Sequence, residues 1–416
     1  MGKGGKHPHL SSIKTRRGLF YHRYHHKHSL NEEAALFALK DYLPLKIFYF
    51  LALAVFGVLV IPLFRSLFTH MGLRWLYIFL FSFSLSYLLT PLMRLVALKV
   101  NILDNPNARK VHKSATPLLG GIAILIAFSF SLIANMLLDK GMLVLLCGGM
   151  IMALIGLLDD VRGVPALLKL LIQILVVVFL VYSGIILDLF PPRTTWGFWM
   201  NFIFTLIWIV GITNAMNFID GMDGLATGLS AITATFIGIV AFQTDQPFMG
   251  WIAIAILGSC LGFFPFNFRL HKPALIFLGD AGSTFLGFML AGLAVMGYWS
   301  ESRIVSFANP VLIFWVLIFD MIYITVERVA SGKVRTAKEW IDYVGKDHLH
   351  HRLFYLLGDT WKAVLTIFLF SAALGLSSIV LRHARMIDSI LLVCQAGLIA
   401  IIFSLLEYVG RKSQKE

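Results

Sequence analysis

Apolar residues in this chain fall into long, nearly uninterrupted runs separated by short polar segments. A run of about 20 apolar residues is what an α-helix needs to cross a bilayer, and these runs are too long and too uniform for strands. The pattern predicts twelve spans, at about 47–68, 74–97, 118–138, 142–158, 165–187, 199–219, 224–243, 248–266, 283–300, 308–327, 361–381 and 388–408. The expected fold is an all-α polytopic membrane protein, a helical bundle of about twelve transmembrane helices. Residues 1–46 are basic and polar, and 31–43 suit a short amphipathic interfacial helix.

Composition narrows the class. Of 416 residues, 58% are hydrophobic and 14% charged, against about 45–50% and about 25% in soluble domains. This excludes a soluble enzyme, a disordered chain and a secreted disulfide scaffold. Cys147, Cys260 and Cys394 each lie inside an apolar run and read as packing residues. The net charge of +13 suits membrane orientation and anionic lipid better than nucleic acid, which is not an expected partner. The first apolar run is too long for a signal peptide, and Lys6 breaks a myristoylation motif. Six of the thirteen histidines lie in the tail, at His7, His9, His22, His25, His26 and His28, and read as a solvated basic segment.

Twelve spans put both termini on one side, and the positive-inside rule makes that side cytoplasmic. Then 28 of 35 Lys and Arg fall inside, and only Arg65, Arg74, Lys140, Arg193, Arg303, Arg382 and Arg385 fall outside. The acids Asp104, Asp159, Asp160, Asp220, Asp223, Asp280, Glu327, Glu339, Asp342 and Asp347 sort to the same inner face. That face is the expected place for chemistry on a charged, cytoplasmic substrate.

Several inner-face motifs carry ionisable groups. Asp104 to Lys113 holds Asp104, Asn105 and Asn107 around a proline and then Arg109, Lys110, His112 and Lys113, which suit a phosphate or diphosphate. Asp159-Asp160 ends a span, where the helix dipole disfavours negative charge, so a cation or a proton-transfer role would offset the cost. Asn214, Asn217 and Asp220 are three apart and share one helix side. Gly221 and Gly224 predict that this helix ends before Asp223, which then faces the same site from a tight loop. In Phe277-Leu278-Gly279-Asp280-Ala281-Gly282-Ser283, Ser283 reads as an N-cap whose helix offers N–H groups to an anion, with Asp280 beside it for a divalent metal. His348, His351 and Arg352 are spaced to share a helix face and read as phosphate donors rather than zinc ligands, because carboxylates dominate elsewhere and favour Mg²⁺ or Mn²⁺. Asp320 lies within a span, as a site residue or a helix–helix contact.

Carboxylates for a divalent cation, cations for phosphates, and a bilayer alongside suit transfer between a water-soluble phosphate ester and a lipid. These motifs, in this order over about residues 74–358, resemble the polyprenyl-phosphate N-acetylhexosamine-1-phosphate transferases of glycosyltransferase family 4. His348-Leu349-His350-His351-Arg352 looks like the undecaprenyl-phosphate GlcNAc-1-phosphate transferase branch, which starts O-antigen, common-antigen or teichoic acid synthesis. The lipid I enzyme carries three consecutive histidines there, where this chain has Arg352 third.

The resemblance implies that UDP-GlcNAc and undecaprenyl phosphate give undecaprenyl-diphosphate-GlcNAc and UMP, with Mg²⁺ or Mn²⁺ as cofactor. It implies a metal at Asp280 and Asp160, and Asp159 as the base toward the lipid phosphate. It puts Asn214, Asn217, Asp220, Asp223 and Asn267 around the nucleotide, with Phe277 stacked on uracil. Lys110, His112, Lys113, His348, His350, His351 and Arg352 would contact substrate, His350 in the catalytic set. The implied setting is the bacterial inner membrane, with both termini and the site cytoplasmic, membrane lipids around it and a homodimer as a further candidate. The expected organisation is a tail at 1–46, an extra N-terminal span at 47–68, a catalytic core at 74–358 and C-terminal helices at 361–416. Direct attack by the lipid phosphate is favoured over an acyl-phosphate at an aspartate. The rivals are the same reaction with another UDP-N-acetylhexosamine, a transporter of a phosphorylated solute, which would show inverted pairs of broken helices, and a non-catalytic scaffold.

Overall fold

The computed structural model describes residues 43–105, 115–343, 345, 347–381 and 384–413. The chain divides into two units, Met1–Ala54 and Val55–Glu416. The described part of the first is the beginning of α1 (Leu43–Leu59). The second carries, in order, α2 (Pro62–His70), α3 (Arg74–Lys99), α4 (Gly120–Ala134), α5 (Lys140–Arg162), α6 (Ala166–Tyr182), α7 (Thr195–Ile219), α8 (Leu225–Gln243), α9 (Pro247–Asn267) and α10 (Gly279–Met296). It continues with α11 (Arg303–Ile313), α12 (Trp315–Ala330), α13 (Ala337–Asp342), α14 (Leu349–Leu357), α15 (Thr360–Val380) and α16 (Met386–Ser413). Between α3 and α4, β1 (Leu103–Asp104) and β2 (Thr116–Pro117) pair antiparallel, Leu103 opposite Pro117.

The all-α polytopic architecture holds, and every predicted run is helical. Not every run is one straight, full-length span. Among the described residues, eight helices are long and apolar enough to cross a membrane, and α4 and α6 are shorter apolar helices. The 47–68 run breaks at Val60–Ile61, because Pro62 opens α2 and holds Ile61 in an extended conformation. The 308–327 run starts earlier, at Arg303, and bends by 79° between α11 and α12. Pro310 removes one ladder donor just before the bend. Polar side chains then bind the second half elsewhere, as described below.

A third boundary differs with consequences for the site. α10 begins at Gly279, so Ser283 lies inside the helix and is not its N-cap. The formal cap, Leu278, offers no side-chain acceptor. The carboxylate of Asp160, 120 residues earlier in the chain, accepts the amides of Asp280 and Ala281 instead, at 3.0 and 3.2 Å. The first N–H groups of α10 are therefore already used, and an anion does not meet them bare.

α10 is the central helix. Its small residues, Gly282, Ser283, Gly287 and Gly292 among them, are buried, and small residues let neighbouring backbones approach closely. The segment before it is stitched to the start of α4: Phe277 N donates to Pro117 O, Gly120 N to Phe277 O and Gly121 N to Leu278 O, at 2.8–3.0 Å. The C-terminal ends of α5, α7 and α9 and the N-terminal ends of α4 and α10 thus meet at one end of the bundle.

Candidate active site

At that end α5 delivers Asp159 and Asp160 in its last turn. Asp159 Oδ1 accepts Val164 N across the α5–α6 turn at 2.6 Å, and the turn places Lys169 one helical turn into α6. The ammonium of Lys169 lies 2.5 Å from Asp159 Oδ2 and 3.0 Å from Asp280 Oδ2. One lysine thus bridges carboxylates from two helices. The side chain of Asp280 is 34% exposed, the most open of the three. Gly279 has φ +75°, and a Cβ there would lie 2.7 Å from Asp160 Oδ2, so glycine is what lets α10 start against that carboxylate.

α7 ends at Ile219, as its glycines predicted, and Asp220 begins a loop that returns the chain into α8. Asp223 Oδ2 accepts Ala274 N at 2.8 Å, tying this loop to the one before α10. Asn267 accepts from Thr227 and donates to Ile276 O. Burial pushes the Asp220 carboxyl well above the ordinary carboxylate range, and the charges of Asp280, Asp160 and Asp223 push the same way. Together these elements enclose a cavity of about 870 Å³ lined by seven carboxylates, these five with Asp104 and Asp359, and by Asn267, Phe277 and His351. Arg269, His271, Lys272 and Trp361 line it as well. His271 adopts left-handed backbone (φ 58°) and meets Trp361 edge-to-face at 6.0 Å; strained non-glycine residues cluster at ligand sites.

The histidine segment is held from below by α12. Asp320 is buried, with Oδ2 2.8 Å from His348 Nδ1 and Oδ1 accepting Leu349 N at 2.7 Å. Arg328 grips Asp347 through two hydrogen bonds of 2.8 and 2.7 Å. Burial raises the Asp347 carboxyl, but the hydrogen bonds and charge of Arg328 outweigh it and hold the group below its ordinary value. Arg352 is buried and stacks on Tyr323 at 3.7 Å. These contacts give Asp320 its partner. They also place His348 just outside α14, as its N-cap, so His348, His351 and Arg352 do not share one helix face. His350 is 1% exposed, packs against Gly221 and has no hydrogen-bond partner on either ring nitrogen. Burial holds its imidazole well below the ordinary value, and the charges of His351, His348 and Arg352 add to that.

The structure therefore brings Asp159, Asp160, Asp220, Asp223, Asn267, Phe277, Asp280 and His351 to one cavity. Asn214 and Asn217 share a helix side but bond to Gln173 and to Ser283 rather than lining it. Asp320, His348, His350 and Arg352 form the layer behind His351. Lys110, His112 and Lys113 lie outside the described residues. Sequence reasoning missed Lys169, His271, Lys272 and Trp361. A lone lysine within the apolar run 165–187 was a signal, because an ionisable residue in a span needs a partner.

Among the described residues, no three His, Cys, Asp or Glu side chains form a ready-made metal cage. The donor set nevertheless fits a hard cation shared with substrate. It is all oxygen, Asp280 is more open than Asp159, and Asp220 is raised by burial and then by like charges that a cation would relieve. Mg²⁺ commonly takes one or two carboxylates and completes its shell with phosphates and water.

The profile of "Glycosyl transferase family 4" matches residues 142–298, which include the Asp159–Asp160 pair, Lys169, Asp220, Asp223 and Asp280. A "Probable undecaprenyl-phosphate N-acetylglucosaminyl 1-phosphate transferase" of Bacillus subtilis is 35% identical over 311 residues, 74% of this chain and 84% of its own. A "Decaprenyl-phosphate N-acetylglucosaminephosphotransferase" of Mycolicibacterium smegmatis is 32% identical over 320 residues, covering 68% and 76%. A "Phospho-N-acetylmuramoyl-pentapeptide-transferase" of Streptococcus pneumoniae is 37% identical, but over 201 residues, 44% of this chain and 60% of its own. The chain belongs to glycosyl transferase family 4, in the branch of the undecaprenyl-phosphate N-acetylglucosaminyl 1-phosphate transferases.

Proposed function

We propose that this protein transfers GlcNAc-1-phosphate from UDP-GlcNAc to undecaprenyl phosphate, the first membrane step of a cell-surface polysaccharide of O-antigen, common-antigen or teichoic acid type. The observation that carries the reading is the meeting on Lys169 of Asp159 and Asp280, two of the seven carboxylates that line one cavity. A lipid phosphate oxygen forms the new bond to the β-phosphorus. The bond from that phosphorus to the bridging oxygen breaks, and its electron pair leaves on UMP. One diphosphate linkage is exchanged for another.

Asp159 takes the proton of the lipid phosphate, with Lys169 fixing its orientation. Asp280 and Asp160 are the proposed cation ligands, Asp280 with its open carboxylate and Asp160 from the base of α10. Mg²⁺ bound there supplies charge neutralisation on the diphosphate. Asp220, Asp223, Asn267 and Phe277 shape the nucleotide end. His351 reaches the phosphates directly, and the unpaired nitrogens of His350, costly while buried without a partner, sit one layer behind it. The Lys and Arg asymmetry supports a site facing the cytoplasm across the bacterial inner membrane.

The test is UMP release by the protein in proteoliposomes with a panel of UDP-sugars and prenyl phosphates. The expected result is turnover with UDP-GlcNAc that needs the lipid acceptor, stops with EDTA and returns with Mg²⁺ or Mn²⁺. UMP release without acceptor, or preference for another UDP-N-acetylhexosamine, would redirect the assignment.

A further inference from the structure

The end of the bundle opposite the carboxylates holds a second arrangement that the transfer reaction does not use. Arg65, on α2, and Arg74, at the start of α3, both reach the C-terminus of α4. Arg65 donates to Ala134 O and Arg74 to Asn135 O, each at 2.7 Å. The guanidinium of Arg74 also lies over Trp251, 3.9 Å from the ring centroid. Two full positive charges converge where the α4 dipole offers about half a negative one. Among the described residues, Arg65 is the charge that acts on Arg74, and neither arginine is ion-paired to a carboxylate. Each of these bonds uses one donor of a five-donor fork.

Next to this pair is an apolar cavity of about 550 Å³ between α3, α8 and α9. Trp75, Phe79, Ile239, Phe242, Ile254 and Leu257 line it. Trp75 adjoins Arg74 in the chain, and Ile254 lies one helical turn from Trp251. Both arginines also belong to the small set of cations on the side away from the site, where the orientation rule disfavours them.

We infer that this is a binding site for a phospholipid with an anionic headgroup, its phosphate on Arg65 and Arg74 and an acyl chain in the apolar cavity. Arginine forks match phosphate oxygens, and a paired cation next to an apolar slot matches a headgroup joined to a chain. The prenyl phosphate acceptor is a different ligand, because its phosphate has to reach the carboxylates at the other end. The site also gives α2, in the segment before the catalytic core, a role.

The test uses the full chain in detergent and reads its thermal midpoint with phosphatidylglycerol, phosphatidylcholine, polyprenyl phosphate or inorganic phosphate. Phosphatidylglycerol should raise the midpoint on the order of 3 °C at concentrations well above its dissociation constant, and phosphatidylcholine and inorganic phosphate should not. In R65Q/R74Q the affinity for phosphatidylglycerol should fall about thirty-fold, each arginine giving about five-fold near a lipid surface. Ile239→Trp, which fills the cavity and leaves the arginines in place, should reduce the same shift. It keeps the test open if the double variant does not fold. Equal shifts with phosphatidylglycerol and phosphatidylcholine would overturn the inference. So would a shift that inorganic phosphate reproduces in full, one that survives in R65Q/R74Q or Ile239→Trp, or a larger shift with polyprenyl phosphate that R65Q/R74Q abolishes.

Discussion

Gly156 is the point where α5 touches the backbone that carries Asp280. A Cβ added there would lie 2.4 Å from the carbonyl oxygen of Asp280, 2.5 Å from its carbonyl carbon and 2.6 Å from Ala281 N. All three are backbone atoms, so no rotamer change relieves the contact. Ordinary contact begins near 3.4 Å, so in Gly156→Ala the start of α10 has to retreat by about 1 Å. The Lys169–Asp280 ion pair, now 3.0 Å, would open to about 4 Å, beyond hydrogen-bond reach. A misplacement of about 1 Å can cost about 100-fold in rate, or about 2.7 kcal/mol of barrier. Overpacking of this kind costs about 1–3 kcal/mol of stability, while helix propensity favours alanine by about 1 kcal/mol. The expected outcome is a folded protein with turnover down about two orders of magnitude. UMP release in proteoliposomes measures it, with thermal midpoint as the check on folding. Gly211→Ala is the control, because nothing lies within 4 Å of its added Cβ. Gly156→Ala retaining more than about a third of the wild-type rate, or Gly211→Ala losing as much, would refute the reasoning that packing of α5 on α10 sets the position of Asp280.

Three further outcomes follow from the same geometry. Lys169→Met leaves Asp159 and Asp280 without their shared cation, so turnover should fall about 100-fold and the thermal midpoint should respond more to added Mg²⁺ than in wild type; an unchanged rate removes Lys169 from the site. Asp320→Asn keeps the size of the side chain but weakens its hold on His348, and should raise KM for the nucleotide sugar about ten-fold with little change in KM for the lipid, together with faster amide exchange at Leu349; unchanged values would make the Asp320–His348 contact irrelevant to the site. Acidification from pH 7 to 5 should destabilise the protein through His350, whose folded value is depressed: the stability from its neutral ring is complete above the ordinary histidine value and is lost as pH falls toward the folded one. Asp220, with a raised carboxyl, acts in the opposite direction, and Asp347, with a lowered one, is lost only in stronger acid. The pH dependence of the thermal midpoint should therefore lose its acid-side fall in His350→Gln.

The spans were legible because bilayer-crossing length is a property of a single uninterrupted run, and each predicted run became helix. What the runs could not show is where a helix starts or breaks when the deciding group is distant in sequence. α10 begins at Gly279 because Asp160, from another helix, satisfies its first amides. α12 departs from α11 at 79° while Asp320 and Arg328 bind the segment around Asp347 and His348. The site shows the same division. Carboxylates clustering at helix ends could be read from local spacing, and so could the end of α7 before Asp223. Partner choice could not.

A buried carboxylate can be satisfied by a backbone amide, a lysine, a histidine or a metal ion. In this bundle Asp160 has taken amides, Asp159 an amide and a lysine, and Asp320 an amide and a histidine. Asp280 meets Lys169 and the Asp159 carboxyl, and its side chain is more open than those of Asp159 and Asp320. Residue type alone would have made these four aspartates equivalent. Their partners separate them into one that caps a helix, one that faces a lysine across a turn, one that anchors the histidine segment and one still open to the cavity. A cation that enters the cavity therefore competes with Lys169 for Asp280. Turnover and metal response in Lys169 variants should change together for that reason.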